Sequence, residues 1–158
     1  MKPQEIEFTQ TKNIFSMTCT VKAKINAEAE SIWNLLTDAK RFPNWNSTIS
    51  AIDGNIAEGE RICIHVPGTS RTFKPKVSDV VDKQSMIWSN GLSKIFRGAR
   101  SFELRQCANG ATEFIMEEEF SGVLFAVVKN KLPDFKLIFE KYANDLKKEA
   151  ERLKPSIN

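Results

Sequence analysis

The strictest constraint in this chain is a run of unbroken alternation. From Phe15 to Ile25 the apolar residues Phe15, Met17, Cys19, Val21, Ala23 and Ile25 share one parity. Ser16, Thr18, Thr20, Lys22 and Lys24 share the other. A period of two over this length predicts a strand with one dry face and one wet face. One-sided burial belongs to an antiparallel sheet, because parallel strands are covered on both sides. The dry face needs an apolar partner, and the far end of the chain supplies one. From Asp134 onward the apolar positions are Phe135, Ile138, Phe139, Tyr142, Leu146, Ala150 and Leu153, a stripe at helical spacing. Pro133 suits the first helical position and Pro155 lies just past the end.

Between these two elements the pattern changes twice. Asn26 is a candidate N-cap for a helix carrying Glu28 and Glu30 in its first turn and Ile32, Trp33, Leu35 and Leu36 on its apolar stripe. Asp38 to Trp45 reads as a second short helical turn, disturbed at Pro43, and Ser47 to Ile52 as extended chain. Short alternating runs follow at Arg61 to Val66, Arg71 to Val81 and Ser85 to Ser89, then at Ile95 to Gln106 and Ala111 to Phe120. Turn residues separate them: Pro67-Gly68-Thr69-Ser70, Asn90-Gly91 and Ala108-Asn109-Gly110. Pro75 inside the second run predicts an edge or a bulge. Val123 to Val128 reads as a further helical turn. Strands and helices are segregated along the chain, so the fold class is α+β.

The 158 residues suit one domain, 1–158, with the polar residues 1–12 expected as a loose N-terminal arm. A chain of this size hides about 70% of its unfolded surface, enough for a core without staples. The net charge of +3 is dispersed among acids, which argues against a nucleic-acid partner. Cys19, Cys63 and Cys107 are odd in number and widely spaced, as in a reduced cytoplasmic protein. The N-terminus has no apolar signal core, and no run reaches the ~20 residues of a membrane span.

The last two strands carry the most informative charges. Phe96, Gly98, Arg100, Phe102 and Leu104 share one face, and Thr112, Phe114, Met116, Glu118 and Phe120 share another. Each apolar face holds one charge. A three-residue loop at Ala108 to Gly110 sets Leu104 against Phe114, Phe102 against Met116 and Arg100 against Glu118. A two-residue loop would oppose apolar to polar faces. The expectation is an Arg100–Glu118 ion pair facing the core, since a charge there is costly unless paired. Three roles stay open for it: a self-satisfied structural pair, a ligand-orienting pair, or an acid–base group.

At this point the chain resembles a known superfamily, the START-like, polyketide-cyclase and lipid-transport proteins of the helix-grip fold. The resemblance rests on motifs in order from about residue 15 to 153. They include Ile25-Asn26-Ala27 through Ile32-Trp33 and Leu36-Thr37-Asp38, then Trp45-Asn46 with Ile49. Arg71-Thr72-Phe73 with Pro75 and Val77, Ile87-Trp88 and Phe96-Arg97-Gly98 follow. The set closes with Glu118-Glu119-Phe120-Ser121-Gly122 and Phe139-Glu140 with Asn144. It implies a curved antiparallel sheet wrapped around the long C-terminal helix, with two short helices after the first strand and a deep cavity between sheet and helix. The cavity residues it implies are Arg100, Glu118, Arg71 and Phe73, with Trp88, Phe102, Phe114 and Met116, and Phe135, Phe139 and Tyr142 from the helix. Trp33, Trp45, Phe96 and Phe120 are further wall material and equally ordinary core. The glycine-rich loop of the plant-allergen branch and the iron ligands of the dioxygenase branch have no counterpart.

No catalytic signature is present: there is no G-x-S-x-G, no H-E-x-x-H and no dinucleotide fingerprint. No catalytic residue, cofactor or metal is assigned. Cys63 and His65 offer two metal ligands at a spacing of two residues, without a third. The reading favoured is a binding or carrier protein for a small hydrophobic or amphipathic ligand. One alternative is a cyclase or dehydratase using Glu118, Tyr142 or His65. The other is a protein-interaction module like the chaperone-ATPase activators.

Overall fold

The structure is a computed structural model that describes residues 5–92 and 94–155. The chain opens with β1 (Ile6–Lys12) and β2 (Ser16–Ile25), then α1 (Ala29–Thr37), a 3₁₀ turn at Ala39–Arg41 and α2 (Phe42–Trp45). Three short strands follow: β3 (Ala51–Asp53), β4 (Cys63–His65) and β5 (Thr72–Phe73). Next come β6 (Lys76–Val81), β7 (Ser85–Leu92), β8 (Phe96–Gln106) and β9 (Thr112–Ser121). The chain ends with α3 (Phe125–Val128) and α4 (Phe135–Arg152).

Two sheets result. The larger has the order β1-β2-β9-β8-β7-β6, and the smaller has the order β3-β4-β5. All pairings are antiparallel. The alternation of β2 becomes the burial pattern expected of it: Met17, Cys19, Val21, Ala23 and Ile25 are buried. The dry face continues through Phe114 and Met116, Phe102 and Leu104, and Met86 and Trp88. Against it lies the buried stripe of α4, Phe139, Tyr142, Ala143, Leu146 and Ala150. This is the α+β helix-grip fold, with α4 packed along β2 and β1. No helix among the described residues is long and apolar enough to cross a membrane.

Several expectations need correcting. Residues Ile6–Lys12 are not a loose arm but an edge strand paired to β2 along its length. Only Ile6 and Phe8 reach the core, so backbone hydrogen bonding rather than burial holds this strand, and its polar sequence hides it. Asn26 does not cap α1. Glu28 occupies that position without a side-chain bond, while Asn26 ties the C-terminal end of α4 through its backbone N–H and its side chain. Arg71 to Val81 is not one strand. Thr72–Phe73 pairs with β4 in the small sheet and Lys76 pairs with Ser89 in the large one. Pro75 sits at the switch, accepting from Ile62 N–H at 3.1 Å while having no N–H of its own to donate.

Asn90-Gly91 is not the turn. Strand β7 runs through both residues, and Gly91 adopts φ 92° where a β-carbon would meet the Phe96 carbonyl at 2.2 Å. Pro133 lies before the helix, and Asp134 caps α4 by accepting from Lys136 N–H at 3.1 Å. The three-residue link at Ala108–Gly110 is as expected, closed by Cys107 N–H donating to Ala111 C=O at 2.8 Å.

Candidate functional site

One row of the large sheet holds the unusual chemistry. Cys19 of β2 faces Glu118 of β9, which faces Arg100 of β8, which faces Trp88 of β7. Every strand places this residue on the side facing α4. The Arg100 Nη2 group donates to Glu118 Oε2 at 2.6 Å, and Nε–H donates to the same oxygen at 3.2 Å. The pair is mostly buried, with side-chain exposures of 18% and 15%. Above it α4 presents two rings. The guanidinium carbon lies 5.4 Å from the centre of Phe139 and 5.8 Å from that of Tyr142. Both are within reach of a cation–π attraction.

These contacts leave capacity unused. A guanidinium has five N–H donors. Among the described residues only Nε–H and one Nη2 group are engaged, and Glu118 Oε1 accepts nothing. Burial works against the Arg100 charge, but the attraction and hydrogen bonds of Glu118 outweigh it and hold its pKa above the ordinary value. Burial pushes the Tyr142 hydroxyl well above its usual range, and the nearby Arg100 charge reverses only part of that. Burial also raises the Cys19 thiol to about 11, with Glu118 adding to the effect.

Tyr142 is the centre of an aromatic shell. Phe114 stacks on it at 6.3 Å, Phe102 lies at 6.2 Å and Trp45 meets it edge-on at 5.8 Å. Trp88 packs on Phe102 at 4.7 Å. Within this shell Trp45 Nε1, Trp88 Nε1 and Tyr142 Oη are buried without a hydrogen-bond partner among the described residues. Buried polar groups are almost always paired, and each left unpaired costs about 1–3 kcal/mol. Three in one shell, beside a guanidinium with spare donors, form a donor-rich centre in an apolar surround.

The site residues expected from the sequence divide cleanly. Arg100, Glu118, Trp88, Phe102, Phe114, Met116, Phe139 and Tyr142 come together, and Phe135 stands half-buried at the margin. Arg71 and Phe73 do not join them. Both are exposed, Phe73 at 52%, because the switch at Pro75 carries them into the small sheet. The sequence offers Trp45 only as general wall material and gives no sign of Cys19 in the site. Cys19 is visible only once β2 is known to pair with β9, and Trp45 only once α2 is known to lean on α4.

Aromatic rings pack in the space between sheet and helix, where the resemblance implies a cavity. Two clefts among the described residues lie outside this space, one near Lys22 and Lys147 and one between α1 and Ile56. Beyond the Arg100 row, Phe120 stacks with Phe96 at 6.2 Å and meets Phe135 at a tilt at 5.0 Å, and all three are half-buried. Past them lies an exposed apolar end formed by Phe15, Leu92, Ile95, Val123, Leu124 and Val127. Backbone bonds join its loops: Gly122 N–H donates to Phe15 C=O, and Leu124 N–H to Ile95 C=O.

Comparison with known proteins agrees with this architecture. Residues 16–154 match the family model described as polyketide cyclase / dehydrase and lipid transport. A solved START superfamily protein from Mycobacterium smegmatis has 16% identity, with a TM-score of 0.65 over 87% of this chain and 99% of that one. A protein from Rhodobacter sphaeroides has 16% identity and a TM-score of 0.70 over 95% and 100%. The Zhui aromatase/cyclase from Streptomyces sp. R1128 has 11% identity and a TM-score of 0.67 over 87% and 94%. At these identities the likeness is one of fold. No curated protein matches the chain.

Proposed function

This chain belongs to the polyketide cyclase / dehydrase and lipid transport family, and from that premise we propose that it binds a small amphipathic molecule inside the grip. The observation that carries the reading is the donor-rich centre: Trp45 Nε1, Trp88 Nε1, Tyr142 Oη and the spare guanidinium donors of Arg100, all within one aromatic shell. Such a centre fits the carbonyl or carboxylate end of a ligand, and the rings fit its apolar body. The half-buried Phe96, Phe120 and Phe135 form the way in, so entry requires these rings to part.

Binding is better supported than turnover. The raised pKa of Tyr142 makes its hydroxyl a donor near neutral pH and a poor base. Glu118 is tied to Arg100 through one oxygen. Cyclase-type chemistry would draw on Arg100 to polarise a carbonyl and on the free Glu118 oxygen as base. A second reading has its own observation. The exposed apolar end is the kind of patch that contacts other proteins, as in an interaction module resembling the chaperone-ATPase activators.

The test titrates long-chain fatty acids and fused-ring phenolic ketones into the full chain, read by tryptophan emission and thermal shift. Trp45 and Trp88 report directly on the shell. Saturable emission change with a raised Tm is expected, and Arg100→Met and Tyr142→Phe should each weaken it about tenfold, the ~1.4 kcal/mol of one hydrogen bond to a charged or buried group. No saturable change with either class overturns the ligand reading in favour of the surface one. Conversion of the ketone, seen by mass spectrometry, would favour the cyclase alternative.

A further inference from the structure

The small sheet holds a cluster that the interior site does not use. Cys63 and His65 are two residues apart on β4, so their side chains share a face. Asp53 on β3 pairs directly with Cys63 and shares that face. The intervening residues Ile52 and Ile64 are buried on the opposite side. The three polar side chains therefore project outward together. His65 Nε2 lies 2.7 Å from Asp53 Oδ2. One ligand atom from each of the three residues falls within 4.8 Å of the others.

We propose that Asp53, Cys63 and His65 form a binding site for a divalent transition-metal ion of the zinc type. The ligand set decides the class of ion. Thiolate and imidazole suit zinc and its neighbours, while calcium and magnesium take oxygen ligands. Three protein ligands leave the fourth tetrahedral position to solvent. Metal–ligand bonds of about 2.0–2.3 Å set tetrahedral donor atoms roughly 3.3–3.8 Å apart. The cluster reaches that spacing by small side-chain rotations, with the ion replacing the His65–Asp53 hydrogen bond. The backbone already holds the ligands, because the β3–β4 ladder fixes Asp53 opposite Cys63 on either side of the long 54–62 connection. An ion there pins β3 to β4 independently of anything bound in the grip.

The experiment uses the full chain carrying Cys107→Ser, which removes the exposed thiol and leaves Cys63 as the accessible one, Cys19 being fully buried. The protein is stripped with a chelator and titrated with Co2+. A thiolate-to-cobalt charge-transfer band and the strong visible bands of four-coordinate cobalt are expected to saturate at one equivalent, and one equivalent of Zn2+ should bleach them. Cys63→Ser should abolish the near-ultraviolet band, and Asp53→Asn or His65→Ala should weaken binding at least tenfold. Circular dichroism checks that each variant is folded. A second readout needs no variant at the thiol. Zn2+ should slow the reaction of Cys63 with a disulfide reagent at least tenfold, and Asp53→Asn should remove that protection. Absence of the band at stoichiometric Co2+, its survival in Cys63→Ser, or an unchanged thiol rate with Zn2+ each overturns the proposal.

Discussion

Both hydrogen bonds that Arg100 gives to Glu118 end on one carboxylate oxygen, and Cys19 lies across the sheet from the same carboxylate. Removing the guanidinium would strand a charge between a thiol and two rings. Breaking a fully buried pair costs about 3–5 kcal/mol, and the residual exposure here lowers the expectation for Arg100→Met to about 2–3 kcal/mol. Adding Glu118→Leu should recover most of that loss. Urea melts of wild type, single and double variants decide it, and a double variant no more stable than Arg100→Met would refute the pairing. Cys19 gives a second residue-scale prediction. Its folded pKa is raised from 9.0 to about 11, so its contribution is fully present below pH 9 and is lost as pH rises towards 11. At pH 8 iodoacetamide should label Cys107 and spare Cys19 in the folded chain, read by peptide mass spectrometry. Stability should fall between pH 9 and 11 in wild type, and this part of the fall should vanish in Cys19→Ala. The Arg100–Glu118 pair is legible in the sequence because a short loop fixes the register of a local hairpin. The Cys19 neighbour is not, because β2 reaches β9 across the whole chain and no local signal names that partner.

The elements at the proposed entrance are less buried than those of the core: Phe96, Phe120 and Phe135 are half-buried, whereas Phe102, Phe114 and Met116 are buried. Helix α4 begins at Phe135 and is capped by Asp134, whose carboxylate accepts from Lys136 N–H. Loss of such a cap costs about 0.5–2 kcal/mol. Asp134→Ala should therefore lower stability by about 1 kcal/mol, and hydrogen exchange should quicken in the first turn, where Phe135 leans on Phe120. An unchanged melt with unchanged exchange would show that packing alone holds the helix start. The same contrast explains which elements could be read from sequence. Strand β2 and the stripe of α4 bury one face each, so their periods are visible. Strand β1 is not, since only Ile6 and Phe8 touch the core and its remaining residues are polar. The break between β5 and β6 falls in an alternating run that Pro75 divides between two sheets. Alternation reports which way side chains point, not which sheet a strand joins, and for that reason it points Arg71 and Phe73 to a wall they never reach. Asp53 escaped for a related reason, since its place beside Cys63 and His65 depends on the pairing of β3 with β4.

At the scale of the molecule, the polar ties of α4 collect along its C-terminal half. Asp145 accepts from Ser47 N–H and Oγ–H, Lys147 Nζ donates to Lys24 C=O, and Glu151 accepts from Asn26 N–H and Lys147 Nζ. The first half, from Phe135 to Tyr142, is held by ring contacts and its cap. If the grip admits a ligand as proposed, it should open at the end without these polar ties, beside Phe120 and Phe135. Acid should act first on the clamp that these ties form. Burial pushes the Glu151 carboxyl up, but its hydrogen bonds from Lys147 and Asn26 outweigh that and hold its pKa below the ordinary value of 4.5. Glu149 is lowered in the same sense, chiefly by its hydrogen bonds from Arg152 and against a smaller opposing effect of burial. A depressed folded pKa gives stability that is present above the unfolded value and lost as pH falls through the folded one. The unfolding free energy should accordingly be level from pH 7 to about 5 and decline below the ordinary glutamate range of about 4.3. In Glu151→Gln that decline should be shallower, with lower stability at neutral pH. Urea melts from pH 3 to 7 measure both, and hydrogen exchange should show the amides near Asn26 and Glu151 less protected at pH 4 than at pH 7, each rate taken relative to the intrinsic rate at its own pH. An acid limb of the same slope in Glu151→Gln would move the clamp elsewhere, and with it the reason for expecting the grip to open beside Phe135.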